Sequence, residues 1–361
     1  MSYSSFTRLS LVVMLCSFTG RMEAKDFWRA LKNWVDSADI KGCDTTYLRL
    51  PNEGFIGYGN VYLAGTNAYL NYDQGFTQRG TVNVESHLST RVATLMSVGI
   101  SYRGWGLSYS KDLSGHSDSE WSFCSYGQGY GLELRQHNSY SLSGVVDIDV
   151  AGVESEFHIK ANDLHQRMML GNFYYVFDHK RFSLPAAMSH TIIQKRSSGS
   201  WLSIVNYWHS ATMVDDESLA FPIGNDVIDE GMTGDAKFRK LSQTQLSVGG
   251  GYAYNFIFHD AHCLLHISAM PMVSLWHRNR RYYDVRLWDG DGQLWHDQSH
   301  SIAIGQKLTF NGTIHSSFVY NFSRYVTGVM AMANIDSFPG KSNFSLYTLD
   351  WSSRFFFGVR F

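Results

Sequence analysis

The chain contains 361 residues, of which 17% are charged and 15% are aromatic, and its formal net charge is −2. A hydrophobic content of 44% argues against intrinsic disorder, and the balanced charge argues against a basic nucleic-acid-binding protein, so no nucleic-acid partner is expected. The sequence has no uninterrupted apolar run of about 18 residues, the length that a membrane-spanning helix requires.

The N-terminus has the form of a secretory signal peptide. Arg8 provides a positive charge, Leu11–Phe18 is a short apolar stretch, and Ala24 is a suitable last residue before cleavage. Residues 1–24 are therefore predicted to be a signal peptide cleaved near Ala24. A short buried helix is the alternative interpretation of this stretch.

Residues 25–46 are predicted to form a periplasmic helix and linker. Apolar side chains recur at helical spacing within Lys25–Ser37, at Phe27, Leu31, Trp34 and Val35. Such a helix suits the rim of a barrel or the surface of a membrane.

From about Phe55 the hydrophobic period changes to two, which predicts β-strands, and residues 47–361 are assigned to one β-domain. In 245–258 and 126–136, aromatic and aliphatic residues alternate with small or polar ones. In 351–361 one face is almost entirely apolar or aromatic, and the other carries Arg354 and Arg360. In a membrane barrel the arginine face would line the lumen.

Connections of two lengths alternate along this domain. Short ones are predicted near 103–104, 137–139, 197–199, 259–261 and 321–324, and longer ones near 112–122, 151–181, 210–241, 277–299 and 335–343. Short turns at one end and long loops at the other are typical of an all-β, antiparallel, up-and-down transmembrane β-barrel. Counting backwards from the C-terminus gives about 12 strands if 81–102 and 300–321 are single strands; otherwise about 10 or 14 remain open.

Two long segments do not have the pattern of simple loops. Asn162–Phe177 has partly helical spacing, and Asp215–Lys240 changes from acidic to basic. Each is predicted either to fold into the barrel as a plug or to stand above it. Trp208 and Trp276 are predicted to lie in an aromatic girdle at the membrane interface.

The final strand places Phe357, Val359 and Phe361 on its apolar face. A terminal aromatic strand of this form resembles the signal that the bacterial barrel-assembly machinery recognises on outer-membrane proteins. We therefore predict a bacterial outer-membrane location, with outer-membrane lipids and the barrel-assembly machinery as partners.

The most distinctive stretch is Tyr174–Ser200, with the sequence YYVFDHKRFSLPAAMSHTIIQKRSSGS. It resembles the core motif of an uncharacterised, domain-of-unknown-function family of outer-membrane β-barrels from Bacteroidetes. The matching residues are Tyr175, Val176, Phe177, Lys180, Phe182, Ser183, Gln194, Lys195, Arg196, Ser197, Gly199 and Ser200. Asp178 and Ser198 depart from the Asn and Ala that are usual in that family. The resemblance implies a barrel and an outer-membrane location, but no activity.

The motif also contains the clearest basic group, Lys180, Arg181, Lys195 and Arg196. If Phe182–Lys195 is a strand, the two pairs mark its opposite ends and are predicted to contact lipid headgroups. A basic constriction or an anionic-ligand site inside the barrel is the alternative.

The leading functional prediction is a non-enzymatic barrel that acts as a narrow channel or binds surface ligands or envelope partners. The alternative is a hydrolase or acyltransferase at the rim, acting on lipid or peptide, with Asp163 and His165 as weak catalytic candidates. A soluble secreted β-sandwich is the second alternative, against which the terminal strand and the unequal loops argue. No metal site or cofactor is expected, because Asp289–Gly292 lacks the remaining ligands of a calcium loop.

Overall fold

The structure is a computed structural model that describes residues 43–76, 80–115, 117–140, 142–150, 153–160, 163–214, 233–288, 294–304, 308–339 and 344–361. The chain divides into two compact units, 1–43 and 44–361, and all described residues except Cys43 belong to the second. The predicted signal peptide, the cleavage site near Ala24 and the predicted helix Lys25–Ser37 lie outside the described residues.

Within the described residues, the second unit consists of eighteen strands and one short helix. The strands are β1 (Leu48–Arg49), β2 (Phe55–Phe76), β3 (Gly80–Thr90), β4 (Ala93–Tyr102), β5 (Trp105–Asp112), β6 (Ser119–Tyr126), β7 (Tyr130–Ser139), β8 (Leu142–Val150), β9 (Val153–Ile159), β10 (Leu164–Val176), β11 (Ile193–Gln194), β12 (Ser198–Val214), β13 (Thr233–Phe258), β14 (Cys263–Trp288), β15 (Leu294–Ile304), β16 (Phe310–Phe322), β17 (Tyr325–Pro339) and β18 (Phe344–Arg360). The helix is α1 (Leu184–Met188).

Twelve of the described strands form a closed antiparallel wall in the order β2, β4, β5, β6, β7, β10, β12, β13, β14, β16, β17 and β18. The wall closes because β18 pairs with β2, from Arg360 opposite Ile56 to Phe344 opposite Tyr72. The predicted fold class, a single antiparallel barrel of about 12 strands, is confirmed.

The predicted count of about 12 strands is correct, although it assumes that 81–102 and 300–321 are single strands, and neither is. Residues 81–102 divide into β3 and β4, and residues 300–321 divide between β15 and β16. The total is unchanged because β3 pairs with the far part of β2, and β15 with the far part of β14, outside the closed wall. Strands β8 and β9 extend the sheet from β3 at the same end.

The wall has a short-turn end and a long-loop end. The short-turn end contains the turns at 103–104, 127–129, 259–262 and 323–324, together with the end of β18. Three of the short turns were predicted. The short turn predicted at 137–139 is wrong, because these residues complete β7 at the long-loop end, and Ser198 and Gly199 begin β12 rather than forming a turn.

Several segments predicted as long loops are instead strands. Most of 151–181 is occupied by β9 and β10, and 277–299 is mainly the extended hairpin of β14 and β15. Asn162–Phe177 is not a plug, because its apolar run alternates along β10, and short apolar runs fit helical and strand spacing equally well. Of Asp215–Lys240, residues 215–232 lie outside the described residues, and the remainder belongs to β13.

Side chains of the wall alternate between outside and lumen. The outer face is apolar, with Val98, Trp201 and Leu275 exposed by 61%, 65% and 61%, whereas lumen residues such as Asn255 and His266 are fully buried. Apolar side chains on the outside and polar side chains inside are the reverse of the distribution in a water-soluble protein. This is the distribution expected for a wall surrounded by lipid. Trp276 lies on the outer face, but Trp208 does not belong to a girdle, because it alternates into the lumen with Asn206 and Ser210.

Candidate functional site

The motif segment 177–197 folds into the barrel at the short-turn end, and we call it the plug. Its centre is α1, which begins after Ser183, and Oγ of Ser183 accepts a hydrogen bond from the Ala186 amide at 3.2 Å. Pro185 lies in the first helical turn, where its missing N–H costs nothing. The strand predicted for Phe182–Lys195 is therefore wrong, because a capped helix occupies its first half.

The plug buries apolar side chains against two parts of the wall. Phe182 and Leu184 belong to one cluster, and Ala186 and Ala187 to a second. The wall residues of these clusters include Tyr174, Leu202, Ala253 and Met270 in the first, and Ile56, Leu264, Val319 and Phe356 in the second. The plug thus contributes the apolar core that a lumen lined by polar groups lacks.

Polar wall residues anchor the plug backbone from four different strands. Nδ2 of Asn255 donates to the Ser183 carbonyl at 2.9 Å, and Oγ of Ser317 donates to the Ala187 carbonyl at 3.1 Å. The hydroxyl of Tyr58 donates to the Ser189 carbonyl at 2.5 Å. Nη2 of Arg360 donates to the His190 carbonyl at 3.1 Å. Because these anchors come from β13, β16, β18 and β2, they hold the plug along half of the wall, from β13 to β2.

The four basic residues of the motif lie at the same end of the barrel. The guanidinium groups of Arg181 and Arg196 lie 5.5 and 5.8 Å from the centre of the Tyr47 ring. Pairing of β1 with β11 places Lys195 beside them, and the Asp44 amide donates to the Lys180 carbonyl at 3.0 Å. The expectation that Lys180 and Arg181 lie opposite Lys195 and Arg196 is wrong, because the plug returns to the rim from which it starts.

A carboxylate beside this basic group is stabilised in its charged form. Asp44 accepts hydrogen bonds from the hydroxyl and the amide of Thr46, at 2.6 and 2.9 Å. These bonds lower the pKa of the Asp44 carboxyl, and the positive charges of Arg181 and Arg196 lower that pKa further.

A layer of charged residues crosses the lumen beyond the plug. Oε2 of Glu120 accepts from Nη2 of Arg135 at 2.7 Å, and Nη2 of Arg354 lies 3.9 Å from Oε1 of Glu120. Arg354 lies on β18, four strands around the wall from β6, so its contact with Glu120 spans the lumen. The guanidinium of Arg354 also lies 4.9 Å from the centre of the Tyr62 ring. Two positive charges therefore share one carboxylate.

This charged layer separates two cavities. The upper cavity, on the long-loop side, has an empty volume of about 610 Å³ including its opening and is lined by Thr66, Glu120, Arg135, His137, Trp208 and Asp350. The lower cavity, between the layer and the plug, has an empty volume of about 550 Å³ including its opening and is lined by Tyr58, Ser108, Ser122, Cys124, His190 and Arg354.

A second buried carboxylate, that of Glu133, accepts hydrogen bonds from three wall residues. Glu133 accepts hydrogen bonds from the Tyr126 hydroxyl, from the Tyr174 hydroxyl at 2.9 Å, and from Nδ2 of Asn172 at 3.3 Å. Such a satisfied network rigidifies the wall. The role of the Glu133 carboxylate is therefore structural.

The two weak catalytic candidates contact different neighbours. Asp163 accepts a hydrogen bond from the Lys160 amide at 2.6 Å and closes a turn before β10. The ring of His165 stacks on Tyr140 with the ring centres 4.1 Å apart. Among the residues that the structure describes, no three His, Cys, Asp or Glu side chains form a group that could hold a metal ion. Asp289–Gly292 lies outside the described residues.

Of the predicted assembly signal, Phe357 and Val359 lie on the last wall strand, and Phe361 directly follows it. Phe357 and Phe361 are exposed on the outer face, by 46% and 62%, and Val359 pairs with Tyr325 and Gly57. The ring of Phe361 stacks on that of Phe55, with the ring centres 5.9 Å apart. The strand alternation predicted for these residues is confirmed, and their recognition by the assembly machinery stays a prediction.

The alternation in the sequence predicts some of the lumen residues but not others. Arg354, Arg360, Glu133 and Arg135 were assigned to the polar faces of alternating strands, and all four face the lumen. The longer connection predicted near 112–122 includes Glu120, whereas the structure places Glu120 on β6. In the sequence, Trp121 and Phe123 alternate with Glu120 and Ser122, and this period of two is the signal that could have revealed the strand.

A closed wall of twelve antiparallel strands, apolar outside and polar within, defines the class of transmembrane β-barrels. Within the described part of the chain, no helix is both long and apolar enough to cross a membrane. The chain belongs to the DUF4421 family, a domain of unknown function, whose model matches residues 44–361. No curated protein matches the chain.

Two of the solved structures to which the chain is similar are outer-membrane barrels. The outer-membrane protease OmpT from Escherichia coli is 8% identical, with coverage of 88% of this chain and 100% of that chain and a TM-score of 0.37. The beta domain of the Bordetella autotransporter BrkA is 9% identical, with coverage of 86% and 100% and a TM-score of 0.32. Neither similarity bears on the activity of this chain.

Proposed function

We propose that this protein is an outer-membrane barrel that binds a small polar ligand in its lumen and is neither an open channel nor an enzyme. The observation that carries the proposal is the plug, whose residues Phe182–Gln194 are buried except for the half-buried Met188. Hydrogen bonds from four wall strands hold it across the lumen, so the route through the short-turn end is closed.

The cavities favour ligand binding over conduction. Both are lined by charged and hydroxyl groups, and the internal plug narrows the lumen of a barrel of this width. Asp163 and His165 are engaged in separate local contacts, which favours a non-enzymatic role.

The outer face supports an outer-membrane location, where lipid covers the exposed apolar belt. Phe357, Val359 and Phe361 would then be presented to the barrel-assembly machinery. Lys180, Arg181, Lys195 and Arg196 would lie at the periplasmic rim, within reach of lipid headgroups. Membrane fractionation tests the location: unheated protein from the outer membrane should migrate faster on SDS gels than boiled protein, whereas recovery without detergent and without a heat shift would contradict it.

Conductance in planar bilayers tests whether the lumen is closed. Wild-type protein should show no steady single-channel current, and the double variant Asn255→Ala/Arg360→Ala, which loses two plug anchors, should show intermittent openings. Arg324→Ala is the matched control, because Arg324 is 72% exposed in a turn at the same end. Steady openings of the wild type would overturn the proposal.

A further inference from the structure

The lower cavity contains one buried polar ring without a hydrogen-bond partner and, across from it, one partly exposed cation. His190 is 4% exposed, and neither Nδ1 nor Nε2 of its ring has a hydrogen-bond partner among the described residues. Arg354 lines the same cavity from the wall, and its described contacts are the 3.9 Å approach to Glu120 and the face of Tyr62. Because buried polar groups are normally hydrogen-bonded, the His190 ring indicates a ligand, and Arg354 supplies a positive charge on the facing wall of the same cavity.

Arg354 is the one charged side chain among the described residues that line the lower cavity. Glu120 is paired more closely with Arg135, at 2.7 Å, than with Arg354 at 3.9 Å, so the charge of Arg354 is only partly compensated. Arg360 also lies close to His190, and its side-chain hydrogen bonds go to neutral oxygens: the carbonyls of His190 and Tyr325, and Oδ1 of Asn321. Partly compensated positive charge in a lumen shielded from bulk water attracts an anion.

The remaining polar groups of the cavity suit an oxyanion. The hydroxyl oxygens of Ser108 and Ser122 lie 2.7 Å apart on neighbouring wall strands, and both line the cavity. Hydroxyl, imidazole and guanidinium groups can all donate hydrogen bonds to carboxylate or phosphate oxygens. His190 itself is held in place, because its ring stacks on Phe356 with the ring centres 4.2 Å apart.

We propose that the lower cavity binds a small molecule through a carboxylate or phosphate group held between Arg354 of the wall and His190 of the plug. The inference rests on the proposed function, since it assigns a ligand class to the same lumen. The site includes one group from the plug and one from the wall. A bound anion therefore links the two and stabilises the plugged state.

Calorimetric titration of the full chain, folded in detergent, tests the wall half of the site. Inorganic phosphate and acetate are titrated separately at ionic strength held constant with sodium chloride, which distinguishes the two ligand classes. At least one probe should bind, and Arg354→Gln should weaken that binding at least about 10-fold, as expected for loss of a charge-assisted pair. Arg324→Gln, at an exposed site, should leave the affinity unchanged. Binding of neither probe, or equal affinity of Arg354→Gln and wild type, would overturn the inference.

A second variant tests the plug half. His190 has a φ of +57°, a conformation that asparagine also tolerates, so His190→Asn removes the imidazole without changing the preferred backbone. The probe that binds should raise the unfolding temperature of wild type and raise that of His190→Asn less. An equal rise in both would exclude His190 from the site. A non-conducting wild type that binds neither probe overturns only this inference, whereas a conducting wild type overturns the proposed function.

Discussion

Nη2 of Arg360 donates a hydrogen bond to the carbonyl oxygen of His190 at 3.1 Å, joining the last wall strand to the plug. The same nitrogen donates to Oδ1 of Asn321 on β16 at 2.6 Å. Arg360 is 1% exposed, so the cost of removing its charge from water must be offset by these bonds. The arginine on the lumen face of the terminal strand therefore has a definite structural role as a plug anchor.

Replacing this anchor should loosen the plug and destabilise the barrel. Arg360→Met removes these two hydrogen bonds and the longer one from Nη1 to the Tyr325 carbonyl at 3.5 Å, while keeping an unbranched side chain. We expect a loss of about 3 kcal/mol in the free energy of unfolding. Urea unfolding in detergent micelles measures this loss. Arg324→Met, at an exposed turn position, should change the stability by less than about 0.5 kcal/mol. Equal stability of Arg360→Met and wild type would contradict the anchoring role.

The charged layer should show strong coupling between its members. Glu120→Gln leaves Arg135 and Arg354 without their shared carboxylate, and the loss of one partner of a buried ion pair should cost about 3 kcal/mol. In the double variant Glu120→Gln/Arg135→Gln, part of this loss should be recovered, because one unpaired charge has been removed. A double-mutant cycle should give a coupling free energy of at least about 1 kcal/mol. Simple additivity of the two single losses would show that the 2.7 Å contact contributes little.

The wall was predictable from sequence, and the plug was not. In β18 a period of two separates Phe355 and Phe357 from Phe356 and Arg360, and local alternation alone assigns the faces. In the plug almost every side chain is buried, so no periodicity distinguishes helix from strand. Its position depends on partners remote in sequence, such as Asn255 and Tyr58, which a single sequence does not connect.

The helix cap offers a test confined to the plug. Ser183→Ala removes the acceptor for the Ala186 amide, and loss of an N-cap should cost about 1 kcal/mol and increase hydrogen exchange of the amides in Leu184–Met188. Ser316→Ala is a suitable control, since Ser316 lies on the outer face next to Ser317, which bonds to the plug. Unchanged exchange in Ser183→Ala would indicate that tertiary packing alone holds the helix.

Two glycines with nearly the same backbone conformation provide a controlled test of the short-turn end. Gly104 and Gly115 have φ values of +92° and +91°, so alanine is strained at either position. A Cβ on Gly104 would lie 2.1 Å from the carbonyl oxygen of Tyr126, whereas a Cβ on Gly115 would have no neighbour within 4 Å.

Gly104→Ala should therefore destabilise the barrel more than Gly115→Ala does, by about 2 kcal/mol, because the clash adds to the shared backbone strain. The effect should extend beyond the turn. The Tyr126 amide donates to the Gly104 carbonyl at 2.9 Å, and the Tyr126 hydroxyl donates to Glu133. Movement of Tyr126 disturbs both bonds. Urea unfolding of both variants measures the difference in stability, and equal losses would show that the turn shifts away from Tyr126 at no cost.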